Sequence, residues 1–322
     1  MKQKRTNHIV ITDRQPGLPY SKGLMASQIM ATGLSPYRSY QVAERIEERL
    51  LERGAMHVTS EEVRALAVRV LEELAGERYA KSFVRWQELG RLDVPVVILL
   101  GGATGVGKST IATNVAARLD IVRVVATDSV REVMRAMFSP QMMPTLYTSS
   151  FDADTALREP PPRPADRVIV GFREQTMAVA VGVHALIERA ATEGTSLILE
   201  GAHLVPGFVD ATPWEDRVLP VSAVVTVEDE ELHRGHFAAR GSDATSRPFD
   251  RYLRGFANIR KLQRYIKSQA LSHGVPVIPN YNLDQAFAAV VDLVVEKATA
   301  RLADRRTASS TSERAPVGGG AR

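Results

Sequence analysis

Ten residues, GGATGVGKST at 101–110, place four glycines, one lysine and three hydroxyl side chains in a row. Gly102, Ala103, Thr104, Gly105, Val106, Gly107, Lys108 and Ser109 satisfy G-x-x-x-x-G-K-[ST] in full, and Thr110 adds a hydroxyl directly after the motif. Glycines let successive backbone N–H groups turn toward one phosphate, and the start of the following helix adds the positive end of its dipole. Lys108 would reach the transferable phosphate, and Ser109 would offer an oxygen to Mg2+. The implied ligand is a nucleoside triphosphate such as ATP, with Mg2+. A glycine-rich turn built only for close packing is the alternative, and the lysine and hydroxyl at these offsets weigh against it.

Two carboxylates are expected beside this loop. Asp128 follows the apolar run 121–127 and Glu200 closes the run 195–201. In open α/β sheets ligands sit beyond the carboxyl ends of the strands, so both acids should flank the phosphates. Asp128 could take a proton from an acceptor hydroxyl, and it also suits a helix N-cap. Ser109 and Glu200 are the expected metal ligands, with Asp128 as the alternative carboxylate acting through water, and Glu200 could instead orient the nucleophile. Arg131 and Arg135, one helical turn apart, could grip an anionic acceptor, and Arg173 in GFREQT is a further contact of that kind. Lys108, Asp128, Arg131, Glu200 and Arg240 make up the expected catalytic set.

Residues 233–267 hold Arg234, Arg240, Arg247, Arg251, Arg254, Arg260, Lys261, Arg264 and Lys267 with few acids. Most of these should form a solvated face. Arg240, before Gly241, and Arg247 and Arg251, around a Pro-Phe-Asp turn, are the expected members of a helical lid that neutralises the transferring phosphate and excludes water. His203, His233 and His236 lack metal-ligand spacing with acids and are expected to be structural or to touch substrate, without zinc.

The elements that would carry these groups follow from periodicity. Residues 94–100 read as a buried strand, followed by the glycine loop and the helix KSTIATNVAARL. Further strands are expected at 121–127, 195–201, 221–228 and 274–280. Helices should follow Asp128, run from about 166 to 193, and close the domain at 283–302. The PPPRP run forbids regular structure in part of 139–164, which is expected to be irregular. Strands alternating with helices imply a five-stranded parallel sheet flanked by helices, an α/β fold. Residues 1–90 read as mostly helical, with a short strand at 9–11, Ser60 as a helix cap and Gly54 as a helix stop. The division is 1–90, a P-loop domain over 93–303, and a polar, glycine-rich tail 304–322 expected to be disordered.

The 322 residues are 44% apolar, enough for two packed domains. No cysteine is present, which excludes disulfides, thiolate metal sites and cysteine nucleophiles. No apolar run approaches the roughly 20 residues of a membrane span, and the first residues lack a secretory core, so a cytoplasmic location without membrane contact is expected. A net charge of +4 with interleaved signs does not suggest nucleic-acid binding. The expected partner is a small anionic phosphorylated substrate, with a homo-oligomer left open.

GGATGVGKSTIATNVAARL, ATDSVREVMR, LYTSSFDA, LILEGAHLVPG and RYLRGFANIRKLQRYI with VPVIPN resemble successive blocks of the 2-phosphoglycerate kinases, over roughly 93–300. The resemblance implies a P-loop kinase of the nucleoside-monophosphate-kinase type. It implies transfer of the ATP γ-phosphate to the 3-hydroxyl of 2-phosphoglycerate, giving 2,3-bisphosphoglycerate. A kinase for another small phosphorylated acid or alcohol, of the mevalonate-phosphate type, and a nucleotide-gated regulatory ATPase stay open. The first ninety residues are similar to an ATP-cone, a helical nucleotide-sensing module. Their opening ITDRQPG lacks the lysine of the V-x-K-R-D-G found there, which leaves a packing or oligomerisation domain as the alternative.

Overall fold

The computed structural model describes residues 9–13, 18–54, 56–89, 92–241 and 249–312. The chain divides into two compact units, Met1–Leu92 with Ala298–Arg322, and Asp93–Lys297.

The first unit carries β1 (Val10–Ile11), β2 (Leu18–Pro19), α1 (Lys22–Met30), α2 (Pro36–Glu52), β3 (His57–Val58), α3 (Ser60–Leu74) and α4 (Glu77–Leu89). The strands form a small sheet in the order β2-β1-β3. Apolar residues at helical spacing, such as Val42, Ile46 and Leu50 of α2 and Val63, Leu66, Val70 and Leu71 of α3, pack into one core with Ile29 and Phe83. α2 ends before Gly54, whose φ of +65° suits a residue without Cβ. The cap of α3 is Thr59, one residue before the expected Ser60. Its hydroxyl accepts from the Glu62 N–H at 3.2 Å while Glu62 accepts from the Thr59 N–H at 2.8 Å. The Ser60 N–H is taken instead by Asp13 at 3.0 Å.

The second unit contains β4 (Val96–Gly101), α5 (Lys108–Leu119), β5 (Arg123–Ala126), α6 (Thr127–Met137), α7 (Arg167–Glu193), β6 (Leu197–Gly201), β7 (Leu219–Thr226), α8 (Glu230–Gly241), α9 (Phe249–Arg254), α10 (Phe256–Ser272), β8 (Val277–Pro279) and the start of α11 (Leu283–Ser312). The five strands pair in parallel in the order β5-β6-β4-β7-β8. Every residue of β4 and β6 is buried, which a parallel sheet requires when helices cover both faces. α6 and α7 cover the face that shows Val97, Leu99, Leu197 and Leu199. β5 is an edge strand, with Arg123 and Val124 exposed.

Two expectations need correction. The stretch 139–164 is not wholly irregular, because Pro144–Tyr147 and Ser150–Ala156 form 3-10 turns. α11 runs to Ser312, nine residues into the segment read as a disordered tail, because a helix already nucleated extends by one hydrogen bond per added residue. Residues 313–322 lie outside the described residues. Among the described residues no helix is long and apolar enough to cross a membrane.

Candidate active site

Register sets the site. Gly101 of β4 pairs with Gly201 of β6, and Ala126 of β5 pairs with Glu200 of β6, so three strands end level with one another. The phosphate-loop residues 102–107, Thr127 with Asp128, and Glu200 therefore share one edge of the sheet, where a doubly wound fold binds ligand. Within the loop Gly102, Gly105 and Gly107 have φ of +140°, +88° and +88°, a backbone region that disfavours side chains. Gly107 then caps α5.

Lys108 is 7% exposed and its Nζ donates to the Ala103 carbonyl at 2.8 Å, curling the ammonium over the loop. The Ser109 hydroxyl donates to Glu200 Oε1 at 2.9 Å. Glu200 is 8% exposed. A carboxylate buried at a strand end, beside a hydroxyl and opposite a phosphate cradle, is a hard oxygen donor set that fits Mg2+. The predicted meeting of Ser109 and Glu200 is thus a feature of the geometry. Thr110 sits on the first turn of α5 and is exposed.

Asp128 lies inside the first turn of α6, whose N-cap is Ala126, so the capping role does not apply. Its side chain is 63% exposed and available to an incoming group, and Arg131 Nε lies 3.5 Å away. Arg131 itself is only 13% exposed. Its Nη1 donates to the carbonyls of Leu146 and Thr148 at 3.0 and 2.8 Å, so it secures the 3-10 segment rather than presenting a free fork. Arg135 bonds Glu132 at 2.7 Å and lies 4.9 Å over the Tyr147 ring, committed to the same segment. Arg251 pairs with Asp152 at 3.5 Å and covers Phe151. Arg173 is exposed and stacks 5.5 Å over the Phe208 ring. The Arg240 side chain and all of Arg247 lie outside the described residues.

A buried polar chain that the sequence reading missed links the two sides of the site. The Thr127 hydroxyl meets His203 Nδ1 at 2.9 Å, and His203 Nε2 meets Gln175 Oε1 at 2.9 Å. Gln175 Nε2 donates to the carbonyls of Thr145 and Thr148. Those two acceptors fix the amide orientation, so His203 carries its proton on Nε2 and accepts from Thr127 on Nδ1. Gly201, with φ of +155°, is where this chain presses closest, since a Cβ there would overlap the Thr127 side chain. The available signal for this network was Gln175 falling on the apolar stripe of α7, at helical spacing from Phe172, Ala178 and Val179.

Burial pulls His203 down from its ordinary value to about 4; the Asp128 charge opposes this, and Arg131 and Lys108 add to it. Burial likewise brings His233 to about 4. Between pH 6.5 and 4 the unfolded chain then binds a proton at residue 203 that the folded chain does not. Stability is therefore intact above pH 6.5 and falls on acidification, by roughly 3 kcal/mol at pH 4 for His203. Denaturant titrations should show this fall shrinking in His203→Gln. An unchanged pH slope in that variant would mean that position 203 is not the neutral group described.

Grouped at the carboxyl edge of one parallel sheet, these residues make the Asp93–Lys297 unit a P-loop phosphotransferase. A family model described as an AAA domain matches residues 97–261. The 2-phosphoglycerate kinase of Methanothermobacter thermautotrophicus is 41% identical over 271 residues, 82% of this chain and 86% of that one. The enzyme of the same name from Methanopyrus kandleri is 35% identical over 301 residues, 92% and 90% of the two chains. That of Thermococcus kodakarensis is 36% identical over 291 residues, 90% and 98%. The chain belongs to the 2-phosphoglycerate kinase family.

Proposed function

We propose that this chain transfers the γ-phosphate of ATP to the 3-hydroxyl of 2-phosphoglycerate, forming 2,3-bisphosphoglycerate and ADP. The observation that carries the reading is the phosphate loop with its Ser109–Glu200 pair in a chain of that family. Lys108 and the loop amides hold the triphosphate, and Ser109 with Glu200 would hold Mg2+, which supplies charge neutralisation between the phosphates. Asp128 takes the acceptor's hydroxyl proton as the new P–O bond forms and the bond from phosphorus to the β–γ bridging oxygen breaks. Arg173, with Arg240, Arg247 and Arg251, supplies cations for the acceptor and for the charge on the transferring group. Arg131 and Arg135 act one step back, by fixing the 144–150 segment. The first unit is proposed as a helical nucleotide-sensing or packing module.

ADP release measured with and without acceptor tests the reading. ATP consumption should stay at background until 2-phosphoglycerate is added. Steady hydrolysis without acceptor would favour a regulatory ATPase, and stimulation by a different phosphorylated acid or alcohol would move the substrate.

A further inference from the structure

The outward side of the phosphate loop is tied down at three consecutive peptide units. His233 Nε2 meets the Thr104 carbonyl at 2.8 Å, His236 Nδ1 meets the Gly105 carbonyl at 2.9 Å, and Asn280 Nδ2 donates to the Val106 carbonyl at 2.9 Å. A carbonyl only accepts, so each side chain presents a proton. For His233 the tautomer is fixed from both sides, because Arg260 Nη1, which only donates, lies 3.3 Å from Nδ1. Two of the three ties, those of His233 and Asn280, reach back to the sheet. Arg260 also donates to the Glu228 carbonyl at 2.7 Å, and the Asn280 N–H donates to the Thr226 carbonyl at 2.7 Å. Both anchors lie at or just beyond the carboxyl end of β7. Phe237 closes the arrangement, stacked on His233 and Tyr252 with centroids 5.4 and 4.9 Å apart, and its ring fills the place a Cβ on Gly105 would take.

We propose that His233, His236 and Asn280 are positioning residues for the nucleotide, acting through the carbonyls of Thr104, Gly105 and Val106. In a trans peptide the C=O and N–H point in opposite directions. Holding these three oxygens outward therefore turns the N–H groups of Gly105, Val106 and Gly107 inward, toward the phosphates. A loop with three glycines at positive φ has many alternative backbone states. The ties remove those alternatives before the anion arrives, so the amides need no reorganisation on binding. α8, which carries His233 and His236, thus supports the loop directly. The proposal rests on the reading of the loop as an ATP site, and it is independent of which acceptor is phosphorylated.

The test is calorimetric titration of the full chain with Mg2+·ATP in the absence of acceptor. His236 is the first target because it is half-buried and tolerates change. His236→Leu keeps bulk and loses the donor, whereas His236→Asn places an amide nitrogen near the position of Nδ1. The leucine variant should bind ATP about tenfold more weakly, the upper end for the net loss of one hydrogen bond, with the asparagine variant recovering most of the loss. The KM for 2-phosphoglycerate should move less than twofold. Should His236→Leu fail to fold, Asn280→Leu, which removes the donor at similar size without adding charge, is read in the same way. ATP binding within twofold of the parent, equal losses for ATP and acceptor, or no recovery in His236→Asn would each overturn the proposal. Absence of ATP binding by the parent would instead overturn the reading of the loop.

Discussion

Lys108→Ala should lower kcat/KM for phosphate transfer at least a thousandfold, about 4 kcal/mol of transition-state stabilisation. The ammonium is held in the loop at 7% exposure, bonded to the Ala103 carbonyl, so its charge acts where water screens it little. The β- and γ-phosphates gain negative charge on their bridging oxygen as that bond breaks, and the lysine is the cation placed to meet it. The fold should survive, because α5 begins at this residue and alanine is a good helix former. Steady-state kinetics with a thermal melt separates the two effects. Parent-like turnover in a folded Lys108→Ala protein would remove the lysine from the chemistry.

Glu200→Gln should lower kcat at least a hundredfold and shift half-saturation by Mg2+ upward at least tenfold. The substitution keeps size and a hydrogen-bond partner for Ser109, 2.9 Å away, but removes the negative charge that a hard cation selects. The variant should be no less stable than the parent, since a charge 8% exposed carries a desolvation cost that the amide lacks. Turnover measured across a Mg2+ series checks this. A low kcat with an unchanged Mg2+ dependence would assign Glu200 to orienting the hydroxyl instead of the metal.

The parts of this site that obey a sequence rule were readable before any coordinates. The glycine loop has a fixed spacing, and an apolar run ending in an acid marks the end of a parallel strand, so Lys108, Ser109, Asp128 and Glu200 could be placed on one edge. The arginines of α6 were readable only in part. Their spacing puts Arg131 and Arg135 on one helix face, but the groups that claim them, the carbonyls of Leu146 and Thr148 and the Tyr147 ring, come from a segment with no periodicity. Main-chain carbonyls have no letter in a sequence, and for the same reason His233, His236 and Asn280 could not be tied to the loop in advance. The neighbours of His203 in space are a threonine hydroxyl and a glutamine amide, which spacing in the sequence does not reveal. Local boundaries slipped by single residues where two capping side chains stand together, as at Thr59 and Ser60. α11 outran its apolar pattern because a nucleated helix propagates at one hydrogen bond per residue, which leaves no mark in the sequence.

The most direct measurement is a phosphorus NMR spectrum of the full chain turning over ATP, Mg2+ and 2-phosphoglycerate. The account predicts one ADP per glycerate molecule that carries phosphate on both its second and third carbons, with no inorganic phosphate accumulating. Unchanged 2-phosphoglycerate beside free phosphate, or a new phosphate on the carboxyl group, would contradict it.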